Sequence, residues 1–125
     1  MIVKGDHVTA YMKHATGIRY AEPFECLGIE EDGVLKGAIL LNGLMAQDVS
    51  IHVFGCPWPK DVTSEIGRYV FDQLKCERMT FVTEDPTVVS FAEELGGKVE
   101  GLLRNKFGKN RDAFLVGIIK NEFQH

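Results

Sequence analysis

The chain opens with a short apolar step, Ile2-Val3, and then takes up a helical rhythm. Val8, Tyr11, Met12 and Ala15 fall at i, i+3, i+4 and i+7, and Gly17 is placed to end that helix. Strand patterning begins at residues 25–30. Asp32-Gly33 predicts a tight hairpin, the return strand covers residues 34–41, and Asn42-Gly43 predicts a second turn. From Asp48 to Phe54, apolar Val49, Ile51 and Val53 alternate with Ser50 and His52, the third strand of an antiparallel meander. Residues 55–59 end it, because Pro57 and Pro59 supply no backbone donor. The next helix places Val62, Ile66, Tyr69, Val70 and Leu74 on one face, with Asp61 as its expected N-cap. Gly67 sits inside it at a cost of about 1 kcal/mol relative to alanine, which points to close packing or a bend. Residues 79–83 read as a buried strand, and Asp85-Pro86 as an N-cap followed by proline at the first helical position. That helix buries Val88, Phe91, Ala92 and Leu95 and stops at Gly96-Gly97. Two strands, 98–107 and 112–120, close the chain around a polar turn.

The order β-α-β-β-β-α-β-α-β-β contains one strand–helix–strand crossover, which forces a parallel pair into an otherwise antiparallel sheet. The expected fold is α+β: a mixed, mostly antiparallel sheet with a central parallel pair and helices on both faces, spanning 1–125 as one domain. A length of 125 residues fits that size. A net charge of −4 with scattered Lys and Arg argues against a nucleic-acid partner. No apolar run approaches the roughly 20 residues of a membrane span, and the N-terminus lacks the apolar stretch of a signal peptide. Three cysteines (Cys26, Cys56, Cys76) without a CxxC pair argue against a disulfide framework or a zinc site, so a cytoplasmic home is expected. His7 and His14 lie seven apart without a matching carboxylate, so no metal is expected.

Several local strings carry a resemblance. Tyr69-Val70-Phe71-Asp72-Gln73-Leu74 followed by Arg78-Met79-Thr80, then Leu95-Gly96-Gly97-Lys98-Val99-Glu100-Gly101-Leu102-Leu103-Arg104, stand in order with Gly33-Val34-Leu35-Lys36-Gly37 before them and Gly108…Asp112-Ala113 after them. Together they resemble the GNAT superfamily of acetyl-CoA-dependent N-acetyltransferases, in its bacteriophage and ribosomal-protein-acetyltransferase-like branch. The resemblance implies acetyl-CoA as cosubstrate and a primary amine, on a protein or a small molecule, as acceptor. It implies that the fourth and fifth strands splay, that backbone at Val53, Phe54 and Gly55 meets the pantetheine, and that residues 55–63 form the pyrophosphate loop at a helix N-terminus. Cys56, Trp58, Lys60, Asp61 and Thr63 fall in that loop, with Lys60 and the Thr63 hydroxyl as candidate phosphate contacts. Asp85 stands where family members place an asparagine that helps hold the cofactor. One helix precedes the meander where many relatives have two, and a homodimer would supply the missing wall.

The chain departs from the family pattern at Val88 (a serine in many members), Ala92 (the tyrosine that protonates the departing thiolate) and Gly97 (a phenylalanine). His52 is the candidate general base, with packing or solvation as its other reading. Tyr69 is a remote candidate acid, more simply a core residue. Cys56 is either a nucleophile activated by the helix start or a loop thiol. Trp58 is a lid over the cofactor, an interface anchor, or a plug above the helix. Two functions therefore stand: an N-acetyltransferase, or a non-catalytic binding or structural module of the same fold, for instance phage-encoded.

Overall fold

The computed structural model describes residues 1–55 and 57–124. The elements are β1 (Ile2–Val3), α1 (Asp6–Thr16), β2 (Phe24–Glu31), β3 (Val34–Met45), β4 (Asp48–Phe54), α2 (Lys60–Gly67), β5 (Arg78–Thr83), α3 (Pro86–Glu94), β6 (Lys98–Gly108) and β7 (Arg111–Ile119). A π-helical segment, Arg68–Gln73, continues α2, and a short 3₁₀ turn, Lys120–Glu122, follows β7. The strands form one 7-stranded sheet in the order β1-β2-β3-β4-β5-β7-β6. Neighbours are antiparallel except β4 and β5, which run parallel across the α2 crossover.

Strand alternation sorts the side chains to two faces. On one, Val8 and Met12 of α1 pack over Cys26, Ala38 and Leu40. On the other, α2 and α3 bring Val62, Ile66, Val88 and Phe91 down on Leu27, Ile39, Leu41, Ile51, Phe81 and Val116. Each such side chain contributes about 1.5–3 kcal/mol on burial, so the larger α2–α3 layer does more than the α1 layer to hold the sheet together.

Three local expectations change. Asn42-Gly43 does not end β3: Asn42 still pairs with Ser50 and Met45 with Asp48, so the left-handed Gly43 (φ 62°) makes a bulge and the turn moves to residues 46–47. A left-handed residue serves a bulge as readily as a hairpin, and the dipeptide alone does not choose. The second helix starts at Lys60 with Pro59 as N-cap, so Asp61 lies in its first turn and is not the cap. Gly67 is explained by packing, because the Phe123 ring occupies the place of any Cβ there, and the helix widens into the π segment immediately afterwards.

The parallel pair is joined along only part of its length. Register runs from Asp48 opposite Arg78 to Ile51 opposite Phe81 and then stops. Beyond it, His52, Val53 and Phe54 stay with β3, opposite Leu40, Ile39 and Ala38, while Val82 and Thr83 stay with β7. The sheet therefore forks at its centre, and the β5-facing main-chain groups of residues 52–54 have no strand opposite them.

Candidate active site

The closed arm of the fork is tied by side chains. Thr80 Oγ1 donates to Asp48 Oδ1 at 2.7 Å across the parallel pair, and Arg78 Nε donates to Thr80 Oγ1 at 3.0 Å. Arg78 also reaches Glu100 of β6 at 2.8 Å. The open arm holds a cavity of about 100 Å³. Its walls are His52 and Val53 from β4, Val82 and Thr83 from β5, Tyr20 from the loop after α1, and Phe107 from the β6–β7 hairpin.

His52 lies on the α1 side of the fork because it faces the same way as its cross-strand neighbour Leu40. The Tyr20 ring packs on it with centroids 4.9 Å apart. Its Nε2 is 2.8 Å from Asn42 Oδ1, on the adjacent strand. Burial, and then the charge of Lys106, push its pKa down to about 4, so the imidazole is neutral at pH 7. A neutral ring can accept a proton, although a conjugate acid this strong makes it a weak base.

Val53 points the opposite way, toward the α2–α3 layer. Phe54 is 39% exposed with its ring edge on Tyr11 of α1, 5.9 Å between centroids. Gly55 has φ 80°, and a Cβ there would come within 2.8 Å of Gly37 Cα. The approach of β3 is therefore sufficient reason for a glycine at that position. The expectations placed on Cys56 lie outside the described residues. Trp58 is 5% exposed and packs edge-on to Phe91 of α3 at 5.0 Å, with Phe81 at 6.4 Å. It packs between the start of α2 and the middle of α3, and its buried Nε1 has no hydrogen-bond partner among the described residues.

Lys60 and Asp61 are exposed in the first turn of α2, and among the described residues no side chain caps its start. The first amides of that helix are therefore without a side-chain acceptor among those residues. Thr63 does not offer the hydroxyl expected of it: the residue is 3% exposed and Oγ1 donates to Pro59 O at 3.2 Å. Asp85 caps α3 as expected, with Oδ1 accepting from the Thr87 N–H at 2.9 Å, so its carboxylate already serves the protein. It borders the fork cavity together with Glu84, which pairs with Arg111. Tyr69 is not in the fork at all. Its hydroxyl donates to Glu25 Oε2 at 2.6 Å in a separate cleft, and that carboxylate raises its pKa to about 12.

The residues missed from sequence are Tyr20, Asn42, Phe107 and Lys106. Tyr20 sits in a stretch without periodicity and Asn42 in a dipeptide read as a turn. Phe107 and Lys106 reach the fork only because the long β6–β7 hairpin passes beside it.

No sequence-family model and no curated protein matches the chain. Its fold does match solved structures. The spermidine N-acetyltransferase SpeG from Vibrio cholerae in complex with CoA and spermine aligns at TM-score 0.63 and 20% identity, over 91% of this chain and 73% of that one. A chimera of that enzyme with hSSAT gives TM-score 0.66 and 19% identity, over 90% and 75%. A third structure, the spermidine/spermine enzyme with manganese ions, gives 0.64 and 20%, over 90% and 72%. At such identity the likeness establishes the fold and no more.

Proposed function

We propose that the chain is an acetyl-CoA-dependent N-acetyltransferase that acts on a primary amine. The fork carries this reading: β4 and β5 part after Ile51, and the helix that follows β4 begins without a side-chain cap among the described residues. Strand edges without partners suit an extended amide-bearing arm, and an uncapped helix start suits a diphosphate. The cavity volume of about 100 Å³ suits an acetyl-sized group, with the rest of the cosubstrate lying outside it along the loop after β4. One fold neighbour, a spermidine N-acetyltransferase in complex with CoA and spermine, supports the same chemistry.

Acetyl-CoA would supply the activated acyl group. The chain's part is to take a proton from the acceptor ammonium and to hold the amine at the fork. His52 is the group available for the proton, being neutral at pH 7 and in the cavity wall. Main-chain amides at residues 53–55 would hold the pantetheine, and the first turn of α2, with Lys60, the diphosphate. The motif strings quoted above support a place in the phage and ribosomal-protein branch, whereas the fold neighbours are polyamine enzymes. A cytoplasmic home and a homodimer belong to the same proposal.

The second reading, a non-catalytic module, draws on Trp58, which packs between the start of α2 and the middle of α3, and on Ala92, buried where the family places its acid. Thermal melts with acetyl-CoA separate the two. Ligand at 100 times its dissociation constant should stabilise the fold by about 2.7 kcal/mol, and thiol should be released when a primary amine is added. An unshifted melt at millimolar acetyl-CoA would favour the module. His52→Ala should keep affinity and lose turnover; unchanged turnover would take His52 out of the mechanism.

A further inference from the structure

We propose that Asn42 is the positioning residue of the fork, holding His52 as the neutral tautomer with its proton on Nε2 and leaving Nδ1 as the nitrogen that accepts a proton from the amine. The assignment of Nδ1 to catalysis rests on the transferase reading; the tautomer does not.

The argument runs through one amide. Asn42 Nδ2 donates to the Ala21 carbonyl at 3.2 Å. A carbonyl oxygen only accepts, so that contact fixes which end of the amide faces the loop. The other end, Oδ1, therefore faces His52 Nε2 at 2.8 Å and can only accept from it. Nε2 must carry the hydrogen. A neutral imidazole has one N–H, so its lone pair is on Nδ1.

Neutrality has its own causes. His52 is half-buried in the cavity wall, and Lys106 of β6 lies close enough to oppose a second positive charge. Tyr20 faces it from the α1–β2 loop, and its phenol is directed at Thr16 Oγ1, 3.3 Å away. From the β5 side, Glu84 is paired with Arg111 and Asp85 accepts from the Thr87 amide, and neither is hydrogen-bonded to the ring, whose Nε2 faces Asn42. The bulge at Gly43 belongs to the same device. A turn at Asn42-Gly43 would have taken Asn42 off the strand; the bulge keeps it opposite Ser50 on the strand beside His52.

Nitrogen spectra of the protein labelled in its 4 histidines test this without any turnover, with His52 assigned by a His52→Gln variant. At pH 7 His52 should show a protonated Nε2 and an unprotonated Nδ1. A free neutral ring already leans toward the Nε2–H form, so Asn42→Leu, half-buried and of similar size, should loosen an exclusive preference into a mixture with a visible Nδ1–H population while the melt stays cooperative. Asn42→Asp should raise the His52 titration midpoint by about one unit or more, since a carboxylate there favours the imidazolium. A wild-type proton on Nδ1, a wild-type mixture of tautomers, or an Asn42→Leu ring as fully protonated on Nε2 as the wild type would each overturn the clamp. In the thiol-release assay, Asn42→Leu should cut kcat about tenfold or more with acetyl-CoA affinity kept, and Asn42→Asp should move the acidic limb of the kcat profile upward. An unchanged kcat in Asn42→Leu would overturn the positioning role. A wild-type protein that releases no thiol would instead defeat the transferase reading, with the spectra still deciding the tautomer.

Discussion

Two helices start at the open end of the same parallel pair, and the chain treats them differently. Helix α3 follows β5, and its start is closed by the protein itself: Asp85 accepts from the Thr87 amide and Pro86 removes a donor that would otherwise be orphaned. Helix α2 follows β4 with Pro59 as N-cap, and among the described residues no side chain accepts from its first amides. An uncapped start typically forgoes about 1 kcal/mol. The contrast identifies the α2 start as the one whose donors and positive dipole end remain available to an outside anion, and it ties that availability to the strand on the His52 side of the fork.

Four measurements would break or sharpen this contrast, beginning with the brace between the α2 start and α3. Trp58 joins them by packing on Phe91, so Trp58→Ala should destabilise by about 3–5 kcal/mol in urea unfolding. Trp58→Phe should cost much less, because the lost Nε1 has no partner among the described residues. A small effect of the alanine would mean that the α2 start is not held where it is described.

Next in size is the fork itself. The His52 pKa is depressed from 6.5 to about 4 in the folded chain, so on acidification the unfolded chain binds the proton first. Stability should therefore fall by about 3 kcal/mol as pH drops from 6.5 to about 4, and this contribution should level off below. His52→Gln should lack that slope, and parallel acid titrations of the two proteins would reveal any error in the sign.

Pro59→Asp tests the open start directly. Pro59 has φ −59° and ψ 154°, which aspartate adopts without strain. The new cap should stabilise the free protein by up to about 1 kcal/mol and weaken acetyl-CoA binding about tenfold or more by occupying the amides and repelling the diphosphate. Equal affinity in calorimetry would remove the α2 start from the proposed site. Smallest is the closed start: Asp85→Ala should cost about 1 kcal/mol and Asp85→Asn only a fraction of it, since asparagine also caps. Thermal melts of the pair would distinguish capping from a mere loss of charge.

What could be read in the chain follows the range of the interaction involved. The Asp85-Pro86 start was legible because cap, proline and first amides are neighbours in sequence. The Asp32-Gly33 hairpin and the Val49-Ile51-Val53 alternation were legible for the same reason, and with the crossover they specify the mixed sheet. Asn42-Gly43 was legible only as a left-handed residue; whether it turned or bulged depended on β4 lying opposite, some residues later. Thr63 looked like a free hydroxyl because its acceptor, the Pro59 carbonyl, becomes available only once the helix forms.

The amino-acid order alone thus set the elements, their sequence, and the presence of one parallel pair, since hydrophobic period and capping chemistry act within a few residues. The tertiary structure alone decided where that pair stops, that Tyr69 pairs with Glu25 instead of entering the fork, and that Tyr20, Asn42 and Lys106 converge on His52. Those contacts join segments far apart in the chain, and the burial and nearby charge that make His52 neutral exist only after the layers have closed around it.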